Sequence, residues 1–169
     1  MQRTARMLFA AAALMLSPAV VAADALDARL LRIAAWLSAN FDLPAPRTLP
    51  RIERASGERM HALRYGGAPA HAGSESAHDD IEALYDDATR TIYLRPGWTG
   101  RTAAEVSVLV HELVHHLQNE AGLRYTCPEA RERLAYEAQD RWLAGTGRRL
   151  MDEFRLDAMT VLFRTRCMH

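Results

Sequence analysis

The sequence predicts a single α+β domain in which a small β-hairpin packs against a buried helix, followed by two helices toward the C-terminus. Three observations predict it: two short apolar runs, Ile81 to Tyr85 and Thr91 to Leu94, flanking a polar turn; an apolar helical stretch opening at Thr102; and a globular composition, 49% hydrophobic and 25% charged over 169 residues. That balance excludes disorder, collagen and repeat arrays. With 21 Lys+Arg against 21 Asp+Glu there is neither a basic surface for phosphates nor an acidic tail, so nucleic acid is not expected as a partner. All the basic residues are Arg, which reads as coding bias and not as a recognition code.

The N-terminus, Met1 to Ala23, has the layout of a secretory signal peptide: Arg3 and Arg6, the apolar run Met7 to Leu16, Pro18, then small residues up to a cleavage point after Ala22 or Ala23. Its apolar run is too short to span a bilayer. The expectation is therefore an exported protein, periplasmic or extracellular, with no membrane anchor after cleavage and residues 24–169 as one monomeric domain. In that oxidising setting Cys127 and Cys167 are expected to pair, contributing ~4 kcal/mol by closing the intervening loop. Their spacing fits no zinc ribbon.

Leu26, Leu30, Ile33, Ala34 and Leu37 recur at helical spacing and predict an amphipathic helix over Asp24 to Asn40, ended by the proline-rich stretch Leu43 to Pro50. Arg51 to Ala55 reads as a short strand, and Ser56 opens a brief helix. Gly66 to Asp80 has no apolar period and reads as a surface loop carrying His71 and His78. After the hairpin, Thr102 and Glu105 form a capping box. The helix they open carries Val106, Leu109, Val110, Leu113, Val114 and Leu117, and stops near Gly122. Pro128 opens a helix to about Ala144, and a last helix is predicted over Arg148 to Arg164, with Leu150, Met151, Phe154, Val161 and Leu162 inward.

The chemistry lies in the buried helix, as His111-Glu112-Leu113-Val114-His115. Histidines four apart share one helix face and reach one metal ion, while Glu112 is turned about 100° away, beside the metal but not on it, where it takes a proton from metal-bound water. Burying these polar groups would be costly without a use for them. Two histidines leave a catalytic zinc one protein ligand short. A third histidine six positions after His115 is absent, since Ala121 stands there, so a carboxylate must serve. Of Glu129, Glu132, Glu137 and Asp140, the preferred ligand is Glu137, at the edge of the stripe Ala130, Leu134 and Ala138. Asp140 is the second choice. Glu129 and Glu132 sit in the Arg-rich first turns, where acids serve the helix dipole.

With these residues in place the chain resembles the gluzincin metallopeptidases, in their small minigluzincin form, and also a family of uncharacterised small secreted bacterial proteins with this motif. The resemblance covers Leu84 to Leu143 and rests on the strand Thr91-Ile92-Tyr93-Leu94, the helix segment Val108 to Gln118 and Glu137. It implies a zincin-like fold, one zinc ion per chain and peptide hydrolysis. It further implies that Thr91 to Leu94 is an edge strand pairing with the extended substrate backbone. The family's acid four residues after the ligand glutamate is replaced by Arg141, so Asp140, Asp157 or a backbone carbonyl would orient the first histidine. Tyr136 and Tyr125 are candidates for stabilising the transition state, with His116 and Arg133 also near in sequence. The expected function is a secreted or periplasmic zinc metallopeptidase acting on a peptide or protein, with Glu112 as the base. The alternative is an inactive zinc-binding adaptor or inhibitor-like protein, which has no use for Glu112.

Overall fold

The computed structural model describes residues 18–66 and 81–167. The expected signal peptide and the 66–80 loop, with His71 and His78, fall almost wholly outside them. The first helix, α1 (Pro18–Asn40), begins earlier than Asp24 and runs through the expected cleavage point. The Ala- and Val-rich stretch after Pro18 holds nothing that breaks a helix once proline has opened it. Leu30, Ile33, Ala34 and Leu37 are each at most 1% exposed, as the period required.

Strand β1 (Arg51–Arg54) leads into α2 (Gly57–Tyr65), whose N-cap Ser56 accepts from the Arg59 amide. Strands β2 (Ala83–Asp86) and β3 (Thr91–Leu94) form the expected antiparallel hairpin. The sheet has three strands in the order β1-β3-β2, with β1 parallel to β3. This corrects the edge-strand reading: Thr91, Ile92, Tyr93 and Leu94 form the central strand and are all buried, because β1 takes up the side of β3 that the hairpin leaves open. The outer edge beside the hairpin belongs to β2.

Helix α3 (Ala103–Glu120) is the hub of the core. Its apolar residues pack between α1, the sheet and the next helix, α4 (Pro128–Ala144), which contributes Ala135 and Ala138. A smaller cluster of Ala55, Met60 and Tyr93 forms under α2, with Leu63, Ile81 and Leu84 packed against it. The capping box of Thr102 and Glu105 closes as expected. The Glu105 carboxylate also accepts from Thr99 N at 2.7 Å and Arg101 N at 3.1 Å, tying the preceding turn to the helix start. Gly122, at φ 66, ends the helix in the left-handed conformation that glycine adopts without a Cβ clash.

The predicted last helix is two: α5 (Leu150–Glu153) and α6 (Ala158–Thr165). The break falls where Arg155 adopts φ 51 and Asp157 caps α6 by accepting from Thr160 N at 2.7 Å. Leu150 is buried; Met151, Phe154, Val161 and Leu162 are only half-buried. Cys127, the N-cap of α4, is disulfide-bonded to Cys167 beyond the end of α6. Among the described residues the architecture is α+β, and no helix is long and apolar enough to cross a membrane.

Candidate metal centre

His111, His115 and Glu132 each direct one ligand atom to a common point, the three atoms lying within 4.8 Å of one another. Glu132 Oε2 is 3.0 Å from His111 Nε2 and 3.3 Å from His115 Nε2. The carboxylate that joins the two histidines is therefore Glu132, not Glu137. On α4 the stripe turned toward α3 runs through Glu132, Tyr136 and Gln139, at i, i+4 and i+7, alongside buried Ala135 and Ala138; Glu137 falls on the exposed side. Asp140, the second choice, accepts instead from Leu150 N at 2.9 Å and fixes the start of α5. Glu129 is in the first turn of α4, as expected of an acid serving the dipole.

The tautomer of each histidine follows from its hydrogen bonds. The Ser107 hydroxyl donates to Ala104 O at 2.7 Å, so Ser107 Oγ accepts from Gln139 Nε2 at 3.2 Å, which turns Gln139 Oε1 toward His111 Nδ1 at 3.0 Å. On the other side Gln118 Nε2 donates to Arg131 O at 3.2 Å, and Gln118 Oε1 accepts from Arg131 Nε and from His115 Nδ1, the latter at 3.0 Å. Both imidazoles therefore carry their hydrogen on Nδ1 and aim the Nε2 lone pair at Glu132. At His111 the Gln139 amide does the orienting expected of Asp140, Asp157 or a backbone carbonyl, and at His115 the Gln118 amide does the same.

Two lone pairs and a carboxylate that face one another require a cation between them. Without a metal a proton shared with Glu132 serves. His111 is raised: burial would lower it, but the hydrogen bond to Glu132 and the charges of Glu112 and Glu132 prevail. Glu132 is held far below the usual carboxylate range, since the bonds from His111 and His115 outweigh the burial that would raise it. Nitrogen, nitrogen and carboxylate oxygen are the donor set of a catalytic zinc site with one position left open. The residues present thus fit the ion that the motif implies.

The site opens on a cavity of about 590 Å³. Glu112 lines it, is 7% exposed and makes no hydrogen bond among the described residues. Tyr136 lines it too, its ring edge-on to His111 at 4.9 Å and its hydroxyl accepting from Arg164 Nη1 at 3.1 Å. Tyr125 is exposed and is not part of the cavity wall, and neither is Arg133, which is exposed on α4. Ile81, Glu82 and Ala83 bring the β2 side of the hairpin to the cavity, the place the sequence had given to β3. His116, fully buried, faces away from it: Nε2 donates to Thr48 O at 2.7 Å, and Nδ1 accepts from the Tyr85 hydroxyl at 3.1 Å.

Sequence reasoning weighed Glu132 but set it aside as a helix-dipole acid, and it missed Gln118, Gln139 and Arg131. Arg131 donates to Asp87 Oδ1 at 2.7 Å, to His115 O at 3.2 Å and to Gln118, so it joins the hairpin turn, the α3 backbone and the amide that orients His115. The available signal was that Glu132 and Gln139 lie two helical turns apart, in phase with Ala135.

No curated protein and no solved structure matches the chain. Residues 22–169 match the model of a domain of unknown function (DUF6647), and the chain belongs to that family.

Proposed function

We propose that this protein is an exported zinc-dependent peptidase of zincin type, with His111, His115 and Glu132 holding the ion and Glu112 acting as general base. Glu112 carries the reading. A site that only stores or displays a metal needs three ligands and no spare carboxylate, whereas Glu112 stands in the cavity next to His111 with no hydrogen-bond partner among the described residues. A bound zinc ion supplies Lewis acidity and a water of lowered pKa. Glu112 would take a proton from the attacking water and return it to the departing amine. Tyr136, beside His111 and polarised by Arg164, is placed to donate to the developing oxyanion. The outer edge of β2, reaching the cavity at Ala83, offers main-chain groups to an extended peptide. The Cys127–Cys167 disulfide agrees with export.

The test measures zinc per chain and cleavage of a quenched peptide library for the wild type and three variants. Expected are one zinc per chain and turnover in the wild type, zinc with about 10³-fold slower turnover in Glu112→Gln, no zinc in Glu132→Gln, and wild-type behaviour in Glu137→Gln. Zinc in full with no cleavage of any peptide would replace this reading with the inactive zinc-binding one. No zinc in the wild type after reconstitution would end both.

A further inference from the structure

Two guanidiniums, Arg64 and Arg164, line the cavity that holds Glu112 and Glu132. Each stands in the last turn of its helix, α2 and α6, where a cation complements the helix dipole. The dipole does not account for where Arg164 points: its Nη1 turns across to the Tyr136 hydroxyl on α4, one ring away from His111. Tyr65, next to Arg64, lines the cavity too, so the ends of α2 and α6 both border the same opening. Among the described residues neither arginine forms an ion pair with a carboxylate, although the charge of Glu132 reaches Arg164. The cavity's own carboxylates are committed elsewhere: Glu82 pairs with Arg95 at 2.6 Å, Glu132 belongs to the histidines, and Glu112 is the proposed base.

We propose that Arg164 and Arg64 form a carboxylate-recognising rim that selects peptides bearing a free carboxylate near the cleaved bond, a selectivity that rests on the peptidase reading of the site. A guanidinium presents a planar fork of donors matched to a carboxylate, and it strengthens such a bond by carrying charge. Arg164 is held in place by Tyr136 before any ligand arrives, so little of its freedom is lost on binding. Once a divalent ion is bound, the two arginines and the ion outweigh Glu82, Glu112 and Glu132, and the opening favours an anionic group over a neutral one. The carboxylate has two sources, a peptide C-terminus or an acidic side chain.

The experiment separates these sources and also separates recognition from turnover. Zinc-loaded Glu112→Gln protein is titrated calorimetrically with four N-acetylated peptides of one apolar sequence: C-terminal acid, C-terminal amide, amide with one Glu, and amide with Gln in its place. At least one carboxylate peptide is expected to bind about tenfold more tightly than its neutral counterpart. That preference is expected to vanish when Arg164→Gln and Arg64→Gln are combined in the same protein. Which pair discriminates names the source. Equal binding of all four peptides, or no binding of any, overturns the proposal. So does a preference that survives in the combined variant, because the carboxylate would then be held by the ion and not by the rim. Discrimination without cleavage in the Glu112-intact protein would leave the rim standing and remove the peptidase reading; cleavage without discrimination would do the reverse.

Discussion

His115 and His116 are adjacent on one helix and both buried, at 6% and 0% exposure, yet they are held in opposite senses. His116 has each ring nitrogen matched by a protein atom, donor to acceptor at Thr48 and acceptor to donor at Tyr85. It is complete without a ligand. His115 is fixed only at Nδ1, by Gln118, and presents the lone pair of Nε2 to a carboxylate that has no hydrogen to offer it. The 100° between successive helix positions thus separates a histidine that stabilises the fold from one that is satisfied only by a cation. Burial alone does not tell the two apart; the partner of the second nitrogen does.

The largest effects expected from this contrast come from removing each ring. His115→Ala should abolish stoichiometric zinc with little loss of fold. His116→Ala should keep the zinc but lower unfolding stability by about 3 kcal/mol, since it opens a cavity and strands the Thr48 carbonyl. Metal analysis and denaturant titration of the two variants check this, and loss of zinc from a folded His116→Ala protein would break the comparison. Smaller effects should follow from the amides that set the tautomers. Gln118→Ala and Gln139→Ala are each expected to weaken zinc binding about 10- to 100-fold, read by competition with a chelator, while leaving one zinc per chain at saturation.

The smallest effect concerns the shared helix and not either histidine. Glu105 is held at about 2 against an ordinary 4.5; burial would raise it, and the hydrogen bonds from Thr99, Thr102 and Arg101 lower it. A carboxyl depressed on folding adds stability in full above its unfolded value, and that contribution is lost as pH falls from about 4.5 through about 2. Glu105→Gln should therefore flatten stability against pH in this window, with the zinc content measured at neutral pH unchanged. An unaltered acid limb of the curve would show that the capping carboxylate is not what acid attacks there.

Elements whose cause is local were legible in the sequence: α3 through its capping box and apolar period, the hairpin through its two runs, α4 through Pro128, and the disulfide through its two cysteines. The helical pair His111 and His115 was legible for the same reason. What was not legible depends on contacts distant in sequence. The parallel pairing of β1 with β3 joins Arg51 to Thr91 and leaves no mark in either strand, so β3 reads as an edge. The choice of Glu132 over Glu137 is a matter of helix phase. Leu134 and Ala138 suggested one stripe, but the face packed on α3 is centred on Ala135, Ala138 and Gln139, and the neighbouring arginines that made Glu132 look like a surface acid include Arg131, which supports the site. The split between α5 and α6 hid behind a continuous apolar period, because Arg155 turns left-handed in a segment with no glycine or proline to announce it.

The disulfide divides the chain in a way the helices do not. From Cys127 to Cys167 the polypeptide is a covalently closed ring that contains Glu132, Tyr136, Gln139 and Arg164; His111, Glu112 and His115 lie outside it on α3. The candidate metal centre is therefore a seam between a ring and a rod, and an ion held there would be a second fastener, added to the packing and hydrogen bonds that already seat α4 on α3. The disulfide shapes the ring whether or not metal is present, whereas the ion's contribution to the seam would last only while the ion stays. With an ion in place, a chelator would act on this seam between α4 and α3, and a reductant on the ring's own wall.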